Sequence, residues 1–304
     1  MKLAAIDIGS NAARLQISKV LENEGVLTFK KVEYVRFPLR LGMDVFTTGS
    51  ISAEGEVRLY KMLHSFKLLI ELHECKDYLI CATSAMREAS NASDIVTRIE
   101  GQLDMKINII EGAKEAELIN NVVVQSLDTD TNYLHVDVGG GSSELNLYVN
   151  RQKVASRSFK IGSVRLLEGK EQKSDWEKMQ RWIQDHIGPK QAGIRAIGTG
   201  GNINKLFNLA KTRVTESSMD IKELERIQKY IGSYSLEDRI NKLQLNPDRA
   251  DVIVPASEIY LSAMRWSGAT EILVPDLGLK DGIIQYVYDR YQHRKRKKDI
   301  DPIL

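Results

Sequence analysis

The sequence predicts an α/β protein made of two copies of one unit, each a mixed β-sheet flanked by helices. Two observations carry this. The first is an internal repeat: KLAAIDIGSNAARLQI at residues 2–17 and YLHVDVGGGSSELNL at residues 133–147 align on Asp7 and Asp137. Each copy enters as an apolar strand, reaches an aspartate, turns through glycine and resumes with alternating apolar residues. That is the pattern of a β-hairpin with a glycine-rich turn and a carboxylate at its mouth. The second observation is that each hairpin is followed by a third strand and then by helical and strand-like segments in the same order, the α/β pattern.

In the first copy, residues 4–8 and 13–18 are the hairpin strands, and a turn at 22–25 leads to a third strand at 27–35. Ser52 is placed to cap a helix whose stripe is Val57, Leu59, Met62, Leu63, Phe66, Leu69, Ile70 and Leu72. Residues 78–82 read as a short buried strand, 93–103 as a helix, 107–110 as a strand and 114–127 as a helix. In the second copy the hairpin spans 134–149, with a third strand at 153–160 and a helix at 174–187. A strand at 193–197 opens into Gly198, Thr199, Gly200, Gly201 and Asn202, and a helix starts at or just after Asn202. Residues 221–231 and 256–266 read as helices, 271–274 as a strand and 282–294 as a final amphipathic helix. No low-complexity linker is visible, so ordered elements are expected to join the halves.

The 304 residues, 42% hydrophobic and 28% charged, leave room for two cores. A formal net charge of +2 gives no global polyanion-binding signature. Two cysteines, Cys75 and Cys81, do not make a disulfide framework and suit a reducing compartment. No apolar run approaches the ~20 residues of a membrane span. The chain enters a strand at once rather than a leader, so a cytoplasmic location without membrane contact is expected. Scattered histidines without metal spacing do not support a zinc site. The absence of a G-x-x-x-x-G-K-S/T loop and of a nucleophile elbow excludes P-loop and serine-hydrolase chemistry. The basic run from Arg294 to Lys298 can attract polyphosphate or nucleic acid by counterion release. Its ordinary reading is a solvated helix end, so no specific nucleic-acid partner is expected.

The two turns are the candidate site. Backbone N–H groups of Gly9, Ser10 and Asn11, and of Gly139, Gly140, Gly141, Ser142 and Ser143, are suited to cradle phosphoryl oxygens. Asp7, Asp137 and Glu144 are hard oxygen ligands of the kind that hold Mg2+ together with substrate phosphates. The first-copy equivalent of Glu144 is Arg14, so the halves have diverged chemically.

This organisation resembles the actin-like/hexokinase/Hsp70 ATPase superfamily. More narrowly, it resembles the exopolyphosphatase/guanosine pentaphosphate phosphatase (Ppx/GppA) family. AIDIGSNAARL is similar to the family's opening hairpin, CATSAMREASN to its A-T-x-A-x-R-x-A-x-N segment, and IIEGAKEAELI to its S-G-x-E-E-A-R segment. HVDVGGGSSEL is similar to its second hairpin, and IGSVRL, GTGGN, NPDRADVIVPA and GLKDGI follow in family order. The resemblance covers essentially the whole chain, in the short form that lacks an additional C-terminal helical domain. It implies two actin-like (ribonuclease H-like) domains, each with a mixed five-stranded sheet, and an interdomain cleft. Domain I would be residues 1–122 plus the final helix at about 284–304, and domain II residues 123–283. A hinge near 118–127 would let the cleft close on substrate.

The activity so implied is Mg2+-dependent hydrolysis of the terminal phosphate of inorganic polyphosphate, in a protein that forms a homodimer. Guanosine pentaphosphate (pppGpp) is the alternative substrate. An ATP-dependent phosphotransferase and a non-catalytic polyphosphate or alarmone sensor are rival readings. Glu115 matches the second Glu of the family's E-E-A and would be the base that activates water. Lys114, Glu117 and Glu111 depart from the family's Glu, Arg and Ser. Arg87 would clamp phosphate oxygens, with Arg40 and Arg165 as weaker candidates. Gly200 and Gly201 fall where superfamily kinases bind adenosine, and a strand-to-helix junction of this kind also receives anions.

Overall fold

The computed structural model describes residues 1–187, 193–210 and 217–300. The side chains of Lys297 and Lys298, which end the basic run, and residues 301–304 lie outside the described residues. Contacts divide the chain into two compact units: Met1–Val122 with the chain from Leu279 onward, and Val123–Gly278. Among the described residues, no helix is long and apolar enough to cross a membrane.

The first part of the chain runs β1 (Lys2–Ile8), β2 (Ala13–Asn23), β3 (Val26–Phe37), α1 (Leu41–Thr48), α2 (Ala53–Leu72), β4 (Asp77–Ala82), α3 (Ser84–Glu88), α4 (Ala92–Leu103), β5 (Ile107–Ile109) and α5 (Gly112–Val123). The second runs β6 (Tyr133–Val138), β7 (Ser143–Val149), β8 (Gln152–Phe159), α6 (Ser163–Leu167), α7 (Lys173–His186), β9 (Arg195–Thr199), α8 (Gly201–Leu209), β10 (Ser218–Asp220), α9 (Ile221–Gly232), α10 (Leu236–Asn241), α11 (Pro247–Ala250), α12 (Ile253–Ser267) and β11 (Glu271–Leu273). The chain then enters α13 (Leu279–Ile300).

The first sheet has the order β3-β2-β1-β4-β5, with β1, β2 and β3 antiparallel and β4 and β5 parallel to β1 and to each other. The second repeats it as β8-β7-β6-β9-β11, and adds β10 antiparallel on the outer edge of β11. The sixth strand was not expected. Three residues give no alternation to read.

Ser52 caps α2 as expected, its hydroxyl accepting from the Gly55 N–H at 3.0 Å. The stripe is narrower than expected. Leu59, Met62, Leu63, Phe66 and Ile70 are buried, whereas Val57 is 51% and Leu72 78% exposed. At 100° per residue, Val57 and Leu72 lie roughly 140–160° from Leu59, on the far face. The helix expected over 114–127 begins at Gly112 and ends at Val123; a 3-10 turn, Val124–Ser126, follows.

In the first unit, α13 packs across β1, β2 and β4. Gln16 of β2 donates to Asp281 at 2.9 Å, and Arg290 donates to both Asp77 carboxylate oxygens and to the Tyr78 carbonyl. A Cβ on Gly282 would lie 2.1 Å from the Leu118 carbonyl oxygen, so the backbones of α13 and α5 touch there. In the second unit, α12 packs against β6 and against α6, α7, α8 and α9. Leu134, Val136 and Val138 of β6 and Leu145 and Leu147 of β7 form its apolar face with Ile259, Tyr260 and Ala263. The opposite face of β6 carries Tyr133, His135 and Asp137, also buried. A strand buried on both faces gives no apolar alternation.

Candidate active site

The two turns are built alike. Gly9 N–H donates to the Ala12 carbonyl at 3.2 Å, and Gly139 N–H donates to the Ser142 carbonyl at 2.9 Å. Each turn is then braced by the short helix that follows the third strand. In the first unit, Gly42 and Arg40 N–H groups donate to the carbonyls of Ser10 and Asn11, at 2.8 and 2.9 Å. In the second, Ser163 N–H donates to Gly139, Val164 and Arg165 N–H groups donate to Gly140, and the Arg165 Nε donates to Gly141 at 2.8 Å. In a trans peptide the carbonyl of one residue and the N–H of the next point to opposite sides. With these carbonyls committed to the bracing helices, the N–H groups of Asn11, Ala12, Gly140, Gly141 and Ser142 point the other way, an arrangement that receives anions. Gly162 makes this fit: a Cβ there would meet the Gly140 oxygen at 2.4 Å.

The cross-strand rows below the turns carry opposite charge. In the first unit, register pairs Arg36 with Arg14, Arg14 with Asp7 and Asp7 with Cys81. In the second, it pairs Ser158 with Glu144, Glu144 with Asp137 and Asp137 with Thr199. Arg14 donates to Asp7 at 2.8 Å. Asp137 and Glu144 are instead two opposed carboxylates, 9% and 1% exposed. Ser142 and Ser158 hydroxyls both donate to Glu144 Oε1 at 2.8 Å. Like charges directly opposite one another are unfavourable unless a cation or a shared proton relieves them. Two hard oxygen donors beside inward-braced amides fit a divalent cation such as Mg2+. Of the three expected ligands, Asp7 is ion-paired with Arg14, and among the described residues no group of three or more His, Cys, Asp or Glu side chains is arranged for a metal.

Glu115 lies in the first turn of α5 and is 8% exposed. It shares surroundings with Asp7: both negative charges, together with burial, push the Cys81 thiol up to about 12, burial contributing most. Arg87, the expected phosphate clamp, is tied into the fold by its own contacts. It donates to the Ile110 carbonyl at 2.7 Å and its Nε lies 3.8 Å from Glu111, so it anchors the entry to α5. Lys114 and Glu117, the two departures flanking Glu115, form an ion pair at 2.7 Å. The expected Glu and Arg at these positions have exchanged sign as a pair.

Gly200 and Gly201 close the far side of the carboxylate row. Gly200 takes φ +107°, and a Cβ there would lie 3.2 Å from Asp137 Oδ1 and 3.3 Å from the Tyr260 hydroxyl. Tyr260 donates to the Thr199 carbonyl. Burial first, and then the Asp137 charge, hold its phenol well above the usual range, so it stays protonated. His135, one row below Asp137, is neutral, lowered to about 3 by burial and by Lys153. Sequence reasoning missed Thr199, Tyr260 and His135. The signal available was the period-2 spacing of Tyr133, His135 and Asp137.

The repeated sheet order and the paired glycine-rich turns define a protein of two α/β units, each a mixed sheet flanked by helices. A family model described as the Ppx/GppA phosphatase family matches residues 20–290, and the chain belongs to that family. It is 28% identical over 302 residues to a bifunctional 3-dehydroquinate synthase/phosphatase of Fusobacterium nucleatum, covering 90% of this chain and 44% of that protein. It is 24% identical over 307 residues to a guanosine-5'-triphosphate,3'-diphosphate pyrophosphatase of Aliivibrio fischeri, covering 95% of this chain and 60% of that protein. It thus spans less than two thirds of both. Against Exopolyphosphatase 2 of Mycobacterium tuberculosis it is 27% identical over 312 residues, covering 93% of this chain and 97% of the relative. Among solved structures, an exopolyphosphatase from Cytophaga hutchinsonii superposes with a TM-score of 0.80 at 22% identity, covering 95% of this chain and 98% of that one. The Aquifex aeolicus Ppx/GppA family member gives a TM-score of 0.72 at 22% identity, covering 96% and 98%. These superpositions bear on the fold.

Proposed function

We propose that this chain hydrolyses a phosphoanhydride bond, releasing the terminal phosphate of inorganic polyphosphate. The observation that carries this reading is the opposed pair of buried carboxylates, Asp137 and Glu144, beneath a turn whose carbonyls are all committed elsewhere. Near-complete coverage of a relative named exopolyphosphatase supports polyphosphate as substrate. The relative named guanosine-5'-triphosphate,3'-diphosphate pyrophosphatase keeps pppGpp as the second reading.

Asp137 and Glu144 would hold Mg2+, which when bound neutralises phosphate charge and polarises the phosphoanhydride. The chain's own groups supply the rest. Amides of the two turns orient phosphoryl oxygens. Glu115 takes a proton from water as its oxygen attacks the terminal phosphorus. The anhydride P–O bond breaks, giving orthophosphate and a chain one phosphate shorter, and Glu115 returns its proton to solvent. The same reading takes the protein to act as a cytoplasmic homodimer.

Phosphate release from polyphosphate, pppGpp and ATP, each with Mg2+, tests the proposal. Turnover of polyphosphate above the other two is expected. Preference for pppGpp would select the second reading. Tight binding of either compound without phosphate release would make the protein a sensor.

A further inference from the structure

Beneath the carboxylate row, the second unit holds a line of polar groups, buried except for Ser156 at its outer end, that the proposed reaction does not use. The Ser156 hydroxyl donates to Asn146 Oδ1 at 2.7 Å, Asn146 Nδ2 meets His135 Nδ1 at 3.0 Å, and His135 Nε2 meets Thr199 Oγ1 at 2.9 Å. An amide nitrogen can only donate, so His135 Nδ1 accepts. The ring proton therefore sits on Nε2 and is donated to Thr199 Oγ1. On its main chain, Thr199 receives a second donor, the Tyr260 hydroxyl. His135, Asn146 and Tyr260 are 0% exposed and Thr199 1%.

We infer that Thr199 is a positioning residue for Asp137, clamped by His135 through its side chain and by Tyr260 through its carbonyl. Thr199 ends β9 and is the register neighbour of Asp137. The next residue, Gly200, passes so close that a methyl group there would lie 3.2 Å from Asp137 Oδ1. The path of that turn is thus the wall against which the carboxylate rests, and two buried donors fix where the wall begins. A fully satisfied buried network is rigid, and losing one partner leaves another buried polar atom without its bond. The matching register positions of the first unit carry other residues. Cys81 stands at the register of Thr199, and Ala5 and Leu79 at those of His135 and Ile197. The clamp lies in the half with paired carboxylates, where ligand geometry is most demanding.

The inference rests on the reading of Asp137 as a ligand-bearing carboxylate, and its test separates the two. Thr199→Val keeps shape and loses the hydroxyl, Thr199→Ser keeps the hydroxyl, and Tyr260→Phe loses only the second donor. Each is measured in the full chain for Mn2+ binding by calorimetry, for kcat and KM of phosphate release from polyphosphate, and for Tm. Thr199→Val and Tyr260→Phe should each weaken Mn2+ binding or lower kcat by roughly 10-fold, the usual effect of removing support from a metal ligand. KM should stay near the parent value, because the turn amides are untouched, and Thr199→Ser should stay close to the parent throughout. Parent-like Mn2+ binding and kcat in Thr199→Val and Tyr260→Phe, whatever happens to Tm, would overturn the inference alone. An unmodified chain that neither binds Mn2+ nor releases phosphate would remove it together with the functional reading.

Discussion

Glu144 stands directly opposite Asp137 across β6 and β7, at the position where the first unit sets Arg14 opposite Asp7. The two copies of the hairpin thus hold an internal ion pair in one unit and two opposed carboxylates in the other. Asp137→Asn and Glu144→Gln should therefore weaken Mn2+ or Mg2+ binding and phosphate release together. The loss should be roughly 10- to 100-fold, since carboxylate charge supplies the affinity of a hard-cation site. Isothermal titration with Mn2+ alongside a phosphate-release assay reads both. Full turnover in excess chelator would remove the metal from the mechanism.

Glu115→Gln keeps shape and removes the proposed base. Turnover should fall by at least ~100-fold, the usual scale for general-base loss, with polyphosphate binding retained. Single-turnover kinetics with a filter-binding control measure the two separately. Near-parent hydrolysis would assign proton removal to another group.

How much of this was legible beforehand follows from the residues. Both hairpins were readable because Gly9 and Gly139 interrupt apolar strands right after an aspartate. Glu115 was not readable from its surroundings. A lone acid in the first turn of a helix looks like any solvated charge, and only resemblance to a family singled it out. The bracing helices α1 and α6, with α3, α10 and α11, span four to eight residues each. That is too short for an apolar stripe to repeat. The line under Asp137 left only the period-2 spacing of Tyr133, His135 and Asp137 to read, because β6 is buried on both faces and shows no apolar alternation. Arg87 was singled out because a guanidinium suits phosphate; its bond to the Ile110 carbonyl could not be read from the sequence.

Lys114 and Glu117 pair across one turn of α5 with 38% and 56% of their side chains exposed. Lys114→Glu and Glu117→Arg should each lower stability by up to about 0.5 kcal/mol, the range of exposed helix pairs. The double variant should recover that loss. Chemical denaturation of the four proteins gives the coupling. Equal losses that add in the double variant would show that the pair contributes nothing.

Gly162→Ala places a methyl group 2.4 Å from the Gly140 oxygen. The second turn must then shift away from α6, at a cost of ~1–3 kcal/mol for overpacking. The urea midpoint should fall, and phosphate release per folded molecule should fall with it. An unchanged midpoint would mean that the turn has slack.

Cys81 gives a pH signature. Its thiol titrates at 9.0 when unperturbed and at about 12 in the fold. Between these values the folded chain keeps a proton that the unfolded chain has lost. Its contribution to stability is therefore complete below pH 9 and is lost as pH rises toward 12. Cys81→Ala should flatten that alkaline decline in denaturant midpoints. In the native parent at pH 8, a maleimide should label the half-buried Cys75 before Cys81, read by peptide mass spectrometry.

The contact of Gly282 with the Leu118 carbonyl bears on how the polypeptide is made. The second unit is one uninterrupted stretch of chain. The first needs α13, which leaves the ribosome after the whole of the second unit. Until then Gln16 lacks Asp281, Asp77 lacks Arg290, and the strands that α13 covers stay open to solvent. Synthesis therefore completes the later half before the earlier one, reversing the usual N-terminal-first order. A nascent chain halted at Gly278 carries an unfinished sheet with an exposed apolar face, the kind of surface that chaperones hold and proteases find.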